Sequence, residues 1–236
     1  MKKSAAQIIE QGEIEVLGRL VDASNATLLA NVKTSEATPI KVVYKPIAGE
    51  RPLWDFPHGT LAQREVAAFK ISLWGGFNCV PFTILREGPF GPGAVQEWIE
   101  SPEELNIIEL AQSEDPRIRN LALFDVIVNN TDRKFGHILV NEFEQILGCD
   151  HGVTFHQDFK LRTVIWQFAA MELNEVEIRQ LRNLQRDLTD KYQSEISELL
   201  HEDEVLALIA RIEDLLNSKE FPLPSQEWPA VPWPPV

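Results

Sequence analysis

One polar segment of the sequence, residues 129–137, has the residue types of a metal-phosphate site. Apolar residues precede and follow it, and a second carboxylate, Asp150, comes after another short apolar run. Carboxylates hold divalent cations, and buried elements on either side of a loop fix the positions of its side chains. The pattern therefore indicates phosphate chemistry. The polar side chains of the segment are Asn129, Asn130, Asp132, Arg133 and His137.

A lysine and a glutamate earlier in the chain are a candidate ion pair. Lys45 lies near the end of residues 39–46, which are rich in β-branched side chains and predict a mostly buried strand. Glu65 borders the apolar stripe of the helix predicted next. A charge on a buried element needs a partner, so Lys45 is the candidate partner of Glu65. Arg64 or Lys70 could pair with Glu65 instead, or the helix flank could be solvated.

Hydrophobic periodicity predicts mainly strands before residue 100 and mainly helices after it. The predicted strands cover residues 14–20, 27–32, 39–46, 80–86 and 94–100, with one helix between Thr60, which starts a capping box with Gln63, and Gly75. The predicted helices cover residues 102–112, 116–128, 173–193 and 194–217. We place a lobe boundary there, with an N-lobe at 1–100 and a C-lobe at 101–236. The proline-rich residues 221–236 should be extended, lying on the body or serving as a ligand.

Composition limits the classes of partner. The 236 residues carry a net charge of -14, which argues against nucleic acid as a partner. No apolar run approaches a membrane span, and Glu10 and Glu13 interrupt what begins like a signal peptide, so we predict a cytoplasmic protein without stable membrane insertion. Cys79 and Cys149 fit no zinc or redox spacing and are expected to be buried reduced thiols.

The order of these residues resembles the protein-kinase-like superfamily. A strand lysine, a helix glutamate, an aspartate with a polar residue five positions later, and Asp-x-Gly at residues 150–152 follow one another in that order. Residues 125–133 lack the His-Arg-Asp order of protein kinases and are more similar to the phosphatidylinositol 3-/4-kinase branch, especially to small bacterial proteins related to that domain. The resemblance implies an α+β, two-lobed protein-kinase-like fold, with an antiparallel-sheet N-lobe containing one helix and a mainly helical C-lobe.

The same resemblance implies ATP and a divalent cation, Mg or Mn, as cofactors. Lys45 would contact the α- and β-phosphates, with Glu65 orienting it. Asp132 would position the acceptor hydroxyl and accept its proton. Asp150 would hold the cation. Arg133 would either neutralise a phosphate or brace the loop.

Two further segments would contact the nucleotide. The turn at residues 24–27 would cover the phosphates, although its sequence suits a plain hairpin equally well. Residues 97–99 would form the hinge, where backbone groups meet the adenine. The residues concerned are Ser24, Asn25 and Ala26 in the turn and Glu97, Trp98 and Ile99 in the hinge.

His137 departs from the superfamily pattern, because the resemblance places a metal-binding asparagine five residues after the catalytic aspartate. Imidazole is a softer ligand than an amide oxygen and suits Mn more than Mg. His137 would therefore ligate a metal or hydrogen-bond to Asp132 or Asp150; the alternative is that it only packs the start of a strand.

The segment after Asp150 bears on the acceptor. Residues 151–163 are short and lack an Ala-Pro-Glu anchor, which favours a small or unusual acceptor. His156, Lys160 and Arg162 could receive its phosphate or carboxylate, or the two cations could pair with the acidic C-terminal helices instead.

The sequence therefore predicts an ATP-dependent phosphotransferase acting on a small-molecule, lipid or protein hydroxyl. The alternatives are a nucleotide-binding regulatory module, or pseudokinase, that transfers nothing, and an enzyme that transfers AMP instead of phosphate.

Overall fold

Five antiparallel strands form the main sheet of a computed structural model that describes residues 4–20, 25–35, 37–102 and 104–236. Their order in the sheet is β1-β2-β3-β5-β4. They are β1 (Glu13–Arg19), β2 (Leu28–Thr34), β3 (Ala37–Pro46), β4 (Thr83–Gly88) and β5 (Gly91–Glu97). The predicted α+β class with an antiparallel sheet is thereby confirmed.

Alternation along β3 places Lys45 on the opposite face from its neighbours. Val42 and Tyr44 have no exposed surface and pack with Ile8 and Ile9 of helix α1 (Ala5–Gln11). Because successive side chains of a strand point to opposite faces, Lys45 lies on the other face of the sheet, where it contacts Glu65 of helix α2 (Leu61–Trp74). Helix α1 was not predicted.

The start of α2 differs from the prediction. Thr60 is the N-cap residue but makes no capping bond, and its hydroxyl donates to the carbonyl of Pro57 at 2.7 Å. The carboxylate of Glu50 instead accepts the N–H groups of Leu61 and Ala62, at 3.2 and 2.9 Å. A carboxylate also complements the positive end of the helix dipole, so the longer-range cap replaces the predicted capping box.

The rest of the chain is mainly helical. Its elements are α3 (Ile107–Ala111), α4 (Pro116–Val128), β6 (Ile138–Val140), β7 (Ile146–Gly148), α5 (Glu175–Thr189), α6 (Gln193–Ser197) and α7 (Glu202–Ser218). Helix α4 is buried along most of its length and ends at Asn129, whose φ of 51° turns the chain into the polar segment. Within the described ranges, no helix is long and apolar enough to cross a membrane.

Candidate active site

Lys45 joins the sheet, helix α2 and the segment after β7 at one point. Its Nζ donates directly to Glu65 Oε1 and, at 2.7 Å, to Asp150 Oδ1. Burial alone would lower the pKa of Lys45, but the charges of Asp150 and Glu65 raise it above its ordinary value. The ammonium in turn holds the pKa of Asp150 far below its usual range. Lys45 and Asp150 are therefore charged at neutral pH, whereas burial raises the pKa of Glu65 despite the nearby Lys45 ammonium.

Arg64 and Lys70, the other possible partners of Glu65, form ion pairs with other residues. Arg64 is 1% exposed and forms an ion pair with Glu204 of α7. It also donates to the carbonyl of Thr154 at 2.7 Å. Lys70 pairs with Glu195 of α6, also at 2.7 Å. Glu65 itself is 2% exposed, so the solvated-flank interpretation is wrong.

Hydrogen bonds from the side chains of two asparagines hold the polar segment in place. Asn129 Nδ2 donates to the carbonyls of His156 and Asp158, at 2.9 and 2.7 Å. Asn130 Oδ1 accepts the N–H of Asp132 at 3.0 Å. These bonds fix the backbone of Asp132 while its carboxylate lines an open cavity. Burial raises the pKa of that carboxylate, as the role of a proton acceptor requires.

A second cation of the polar segment, Lys134, lies beside Asp132. Lys134 Nζ lies 3.7 Å from Asp132 Oδ2. A lysine two residues beyond the aspartate could contact a transferring phosphoryl group. The spacing of two residues brings the side chains of Asp132 and Lys134 to the same face of an extended segment.

Arg133 has the contacts of a brace. It has no exposed surface, and its guanidinium pairs with Asp125 at 2.9 Å. It also donates to the carbonyls of His137 and Cys149, at 3.1 and 2.9 Å, and lies 2.7 Å from His151 Nε2. Arg133 does not line the cavity. Of the two roles expected for it, these contacts favour bracing the loop over neutralising a phosphate.

His137 contacts both acids. Its Nδ1 lies 2.9 Å from the carbonyl oxygen of Asp132, so Nδ1 must carry the proton. Burial lowers the pKa of His137 to about 4, so the ring is neutral at pH 7 and Nε2 keeps a lone pair. That lone pair lies 3.4 Å from Asp150 Oδ2. His137 therefore contacts the backbone of Asp132 and lies beside the carboxylate of Asp150, and its role as a metal ligand stays a prediction.

The cavity between the sheet and the helices has a volume of about 490 Å³. Some of the residues that line it were not predicted from the sequence. Lys45, Asp132 and Asp150 line one side of it. Residues 50–56 and Trp228 of the proline-rich tail also line the cavity. Residues 50–56 show no hydrophobic periodicity and lie between β3 and α2. The size is that of a small-molecule site.

The predicted nucleotide segments fall in different places. Ser24 lies outside the described residues. Asn25 and Ala26 line the cavity, where Ala26 N donates to the carbonyl of Gly49 at 3.1 Å. A Cβ at Gly49 would lie 2.5 Å from that of Ala26, so the approach requires glycine.

The hinge residues do not line this cavity. Glu97 N and Trp98 N donate to the carbonyls of Phe82 and Lys41, at 2.9 and 3.1 Å. Their N–H groups are therefore used within the protein, and the adenine contact of residues 97–99 stays a prediction.

The three residues predicted to receive an acceptor separate into two groups. Lys160 pairs with Asp55 at 3.1 Å, and His156 Nε2 lies 3.1 Å from the same ammonium. The expected pairing of Lys160 with the C-terminal helices is therefore wrong, because residues 50–56 supply the acid. Arg162 lines the cavity, whereas Lys160 and His156 do not.

The proline-rich tail lies on the body of the protein. The N–H groups of Phe135 and Thr163 donate to the carbonyls of Pro235 and Ala230, at 2.8 and 2.9 Å. Trp166 Nε1 also donates to the carbonyl of Ala230, at 2.8 Å. Of the two expectations for the tail, packing on the body is the one observed.

Comparison with solved structures identifies the class of fold to which the chain belongs. The structure of hydra Fam20 with sugar aligns with a TM-score of 0.54 and 14% sequence identity, over 92% of this chain and 89% of that chain. The Helicobacter pylori proinflammatory kinase CtkA aligns with a TM-score of 0.49 and 14% identity, over 89% of this chain and 93% of that one. The alignment with Fam20 shows the fold, which is of the protein-kinase-like class that the sequence resemblance implied.

Sequence comparison identifies the family. No family model matches the chain. Protein Rv2133c of Mycobacterium tuberculosis (strain ATCC 25618 / H37Rv) is 35% identical over 262 residues, which cover 96% of this chain and 94% of that protein. The chain belongs to the same protein family as Rv2133c.

Proposed function

We propose that the protein is an ATP-dependent phosphotransferase of the phosphatidylinositol 3-/4-kinase-like type, acting on a hydroxyl of a small molecule, a lipid or a protein. The observation that carries the proposal is the meeting of Lys45, Glu65 and Asp150 at a cavity that Asp132 also lines. Such a set positions phosphates and neutralises their charge, which is most of what phosphoryl transfer requires. The order of residues 125–133 supports the phosphatidylinositol 3-/4-kinase-like type.

The residues present fit a divalent cation. The Nε2 lone pair of His137 and a carboxylate oxygen of Asp150 face each other without a proton between them, an arrangement that a cation would stabilise. The described residues contain no group of three His, Cys, Asp or Glu side chains suited to a metal. The remaining ligands would therefore be nucleotide phosphates and water, as is usual for Mg. When bound, the cation would neutralise phosphate charge.

Every bond and proton of the transfer step can be assigned to a group in the site, the nucleotide or the acceptor. The acceptor oxygen forms a bond to the γ-phosphorus, while the bond from that phosphorus to the bridging oxygen breaks and its electron pair leaves with ADP. The hydroxyl proton passes to the carboxylate of Asp132. Lys45 holds the phosphates that remain on the nucleotide, and Glu65 keeps the ammonium of Lys45 in place.

The proposal predicts that the protein forms ADP from ATP and that Asp150→Asn lowers ADP formation about a thousandfold or more, because one charge on the cation-binding group is lost. Purified protein with ATP and Mg or Mn, analysed by mass spectrometry, tests this. Asp158→Asn is the matched control, since the Asp158 side chain is 69% exposed. Absence of ADP in every condition would contradict the proposal, and an AMP adduct with released pyrophosphate would establish AMP transfer instead.

His137 also favours the second candidate function, a nucleotide-binding module that transfers nothing. The reason is that an imidazole stands where the superfamily pattern has the amide oxygen of an asparagine. The test is the metal preference of His137→Asn. We expect this variant to lower the ratio of the Mn and Mg affinities in the presence of ATP, about tenfold, because an amide oxygen is a harder ligand. Thermal shifts with each metal and ATP would measure the ratio without requiring turnover. An unchanged ratio would show that His137 does not contact the metal.

A further inference from the structure

The acceptor side of the cavity has two aromatic walls from distant parts of the chain. Trp54 belongs to the segment between β3 and α2, and Trp228 belongs to the tail. Both line the cavity that holds Asp132. The ammonium of Lys160 lies over both rings, 4.8 Å from the ring centre of Trp54 and 5.1 Å from that of Trp228. One face of each indole therefore contacts this cation, and most of the Trp54 side chain remains exposed.

Arg162 is a cation of this cavity without an anionic partner in the described part of the chain. Its Nε is buried and makes no hydrogen bond there, and its Nη2 makes one long bond, 3.5 Å, to the carbonyl of Val231. The N–H of Arg162 donates to the carbonyl of Asn130 at 2.9 Å, which places the residue beside Asp132. In a chain of net charge -14, a cavity-lining arginine that pairs with no described carboxylate indicates an anionic ligand.

The size of the cavity and the access to it limit the class of ligand further. A cavity of about 490 Å³ has the size of a small-molecule site, and here it must also take the phosphates of a nucleotide. The tail occupies the N–H groups of Phe135 and Thr163, so an extended peptide cannot pair with the backbone there. Indole faces suit the flat C–H faces of a sugar ring, and a ring hydroxyl would supply the attacking oxygen.

We infer that the acceptor is a small anionic sugar, packed by its ring against the indoles of Trp54 and Trp228 and held by its anionic group at Arg162, with one hydroxyl directed at Asp132. This inference rests on the proposed phosphotransferase function. The anionic group could be a phosphate or a carboxylate, since both accept a bidentate arginine. The sugar oxygen gains the γ-phosphoryl group, its proton passes to Asp132, and ADP leaves with the electron pair of the broken bond.

Calorimetric titration without nucleotide tests the site apart from the reaction. The probes are glucose 6-phosphate, glucuronate, glucose and inorganic phosphate. We expect at least one of the two anionic sugars to bind about tenfold or more tightly than glucose and phosphate, because only it uses both the indoles and Arg162. Arg162→Met should weaken that sugar about tenfold or more and leave glucose unchanged. Trp228→Leu should weaken every sugar.

Two control variants match these changes. Arg179→Met alters an exposed arginine of α5, and Trp233→Leu alters a tail tryptophan that is 86% exposed. Both should bind like the unmodified protein. If Trp228→Leu does not fold, as thermal melting would reveal, Trp54→Leu replaces it, since that indole is 82% exposed and its loss should not unfold the protein.

The outcomes separate this inference from the proposed function. Failure of both anionic sugars to bind, equal binding by Arg162→Met, or binding of phosphate as tight as that of the sugars would overturn the inference while ADP formation stands. A sugar that binds but neither accelerates ADP formation nor becomes phosphorylated would overturn its role as acceptor. Absence of all ADP formation would remove the proposed function, and the titrations would still decide whether the sugar site exists.

Discussion

Replacing Arg133 by methionine is expected to destabilise the protein by about 3–5 kcal/mol, because Asp125 would be left as a buried charge without a partner. Both side chains have no exposed surface, and the guanidinium also holds the carbonyls of His137 and Cys149. That loss is a large share of the 5–15 kcal/mol by which folded proteins are typically stable. The free energy of unfolding, measured by urea denaturation, would show it.

Two further variants determine whether the charge is the cause. Arg179→Met removes an exposed arginine and should change stability by less than about 0.5 kcal/mol. Combining Arg133→Met with Asp125→Leu should recover much of the loss, since no buried charge then remains unpaired. A loss below about 1 kcal/mol in the single variant would show that the arginine is not the brace that its contacts indicate.

Replacing Asp132 by asparagine is expected to lower turnover about 10²- to 10⁴-fold, the usual contribution of a positioned proton acceptor. Asparagine keeps the shape of the side chain and loses its basicity. In the described residues, the Asp132 carboxylate has one ion-pair contact, to Lys134 at 3.7 Å, so stability should change little. Initial rates of ADP formation with a saturating acceptor would measure the effect.

The accompanying measurements separate catalysis from binding. ATP affinity and melting temperature should match the unmodified protein, since the side chain that changes does not contact Lys45 or Glu65. Asp158→Asn, at an exposed carboxylate, should leave turnover unaltered. A fall of less than tenfold, or an equal loss of ATP affinity, would exclude Asp132 as the proton acceptor.

The contacts that the sequence predicted are those with a short-range signal. Lys45 stands out because a charge interrupts a β-branched strand, and Glu65 because a carboxylate borders an apolar stripe. Asp132 and Asp150 stand out because each follows a buried element. In each case the local pattern indicates that the side chain needs a partner, and the resemblance to the protein-kinase-like superfamily supplies the role predicted for it.

The missed contacts join residues whose own neighbourhoods carry no such signal. Trp228 lies in a proline-rich stretch that is extended on composition alone, and nothing local shows that its indole reaches the cavity. Asp55 pairs with Lys160 across 105 positions of sequence. The Thr60 capping box failed for the same reason, because a carboxylate eleven residues before Leu61 reaches the helix end first. Only the tertiary fold determines such pairings.

Rotation of helix α2 away from the sheet would separate Arg64 from Glu204 and from the carbonyl of Thr154. Arg64 is 1% exposed, and these contacts hold α2 in the orientation that brings Glu65 to Lys45. We therefore expect the contact between Lys45 and Glu65 to persist in the isolated protein without an activating partner.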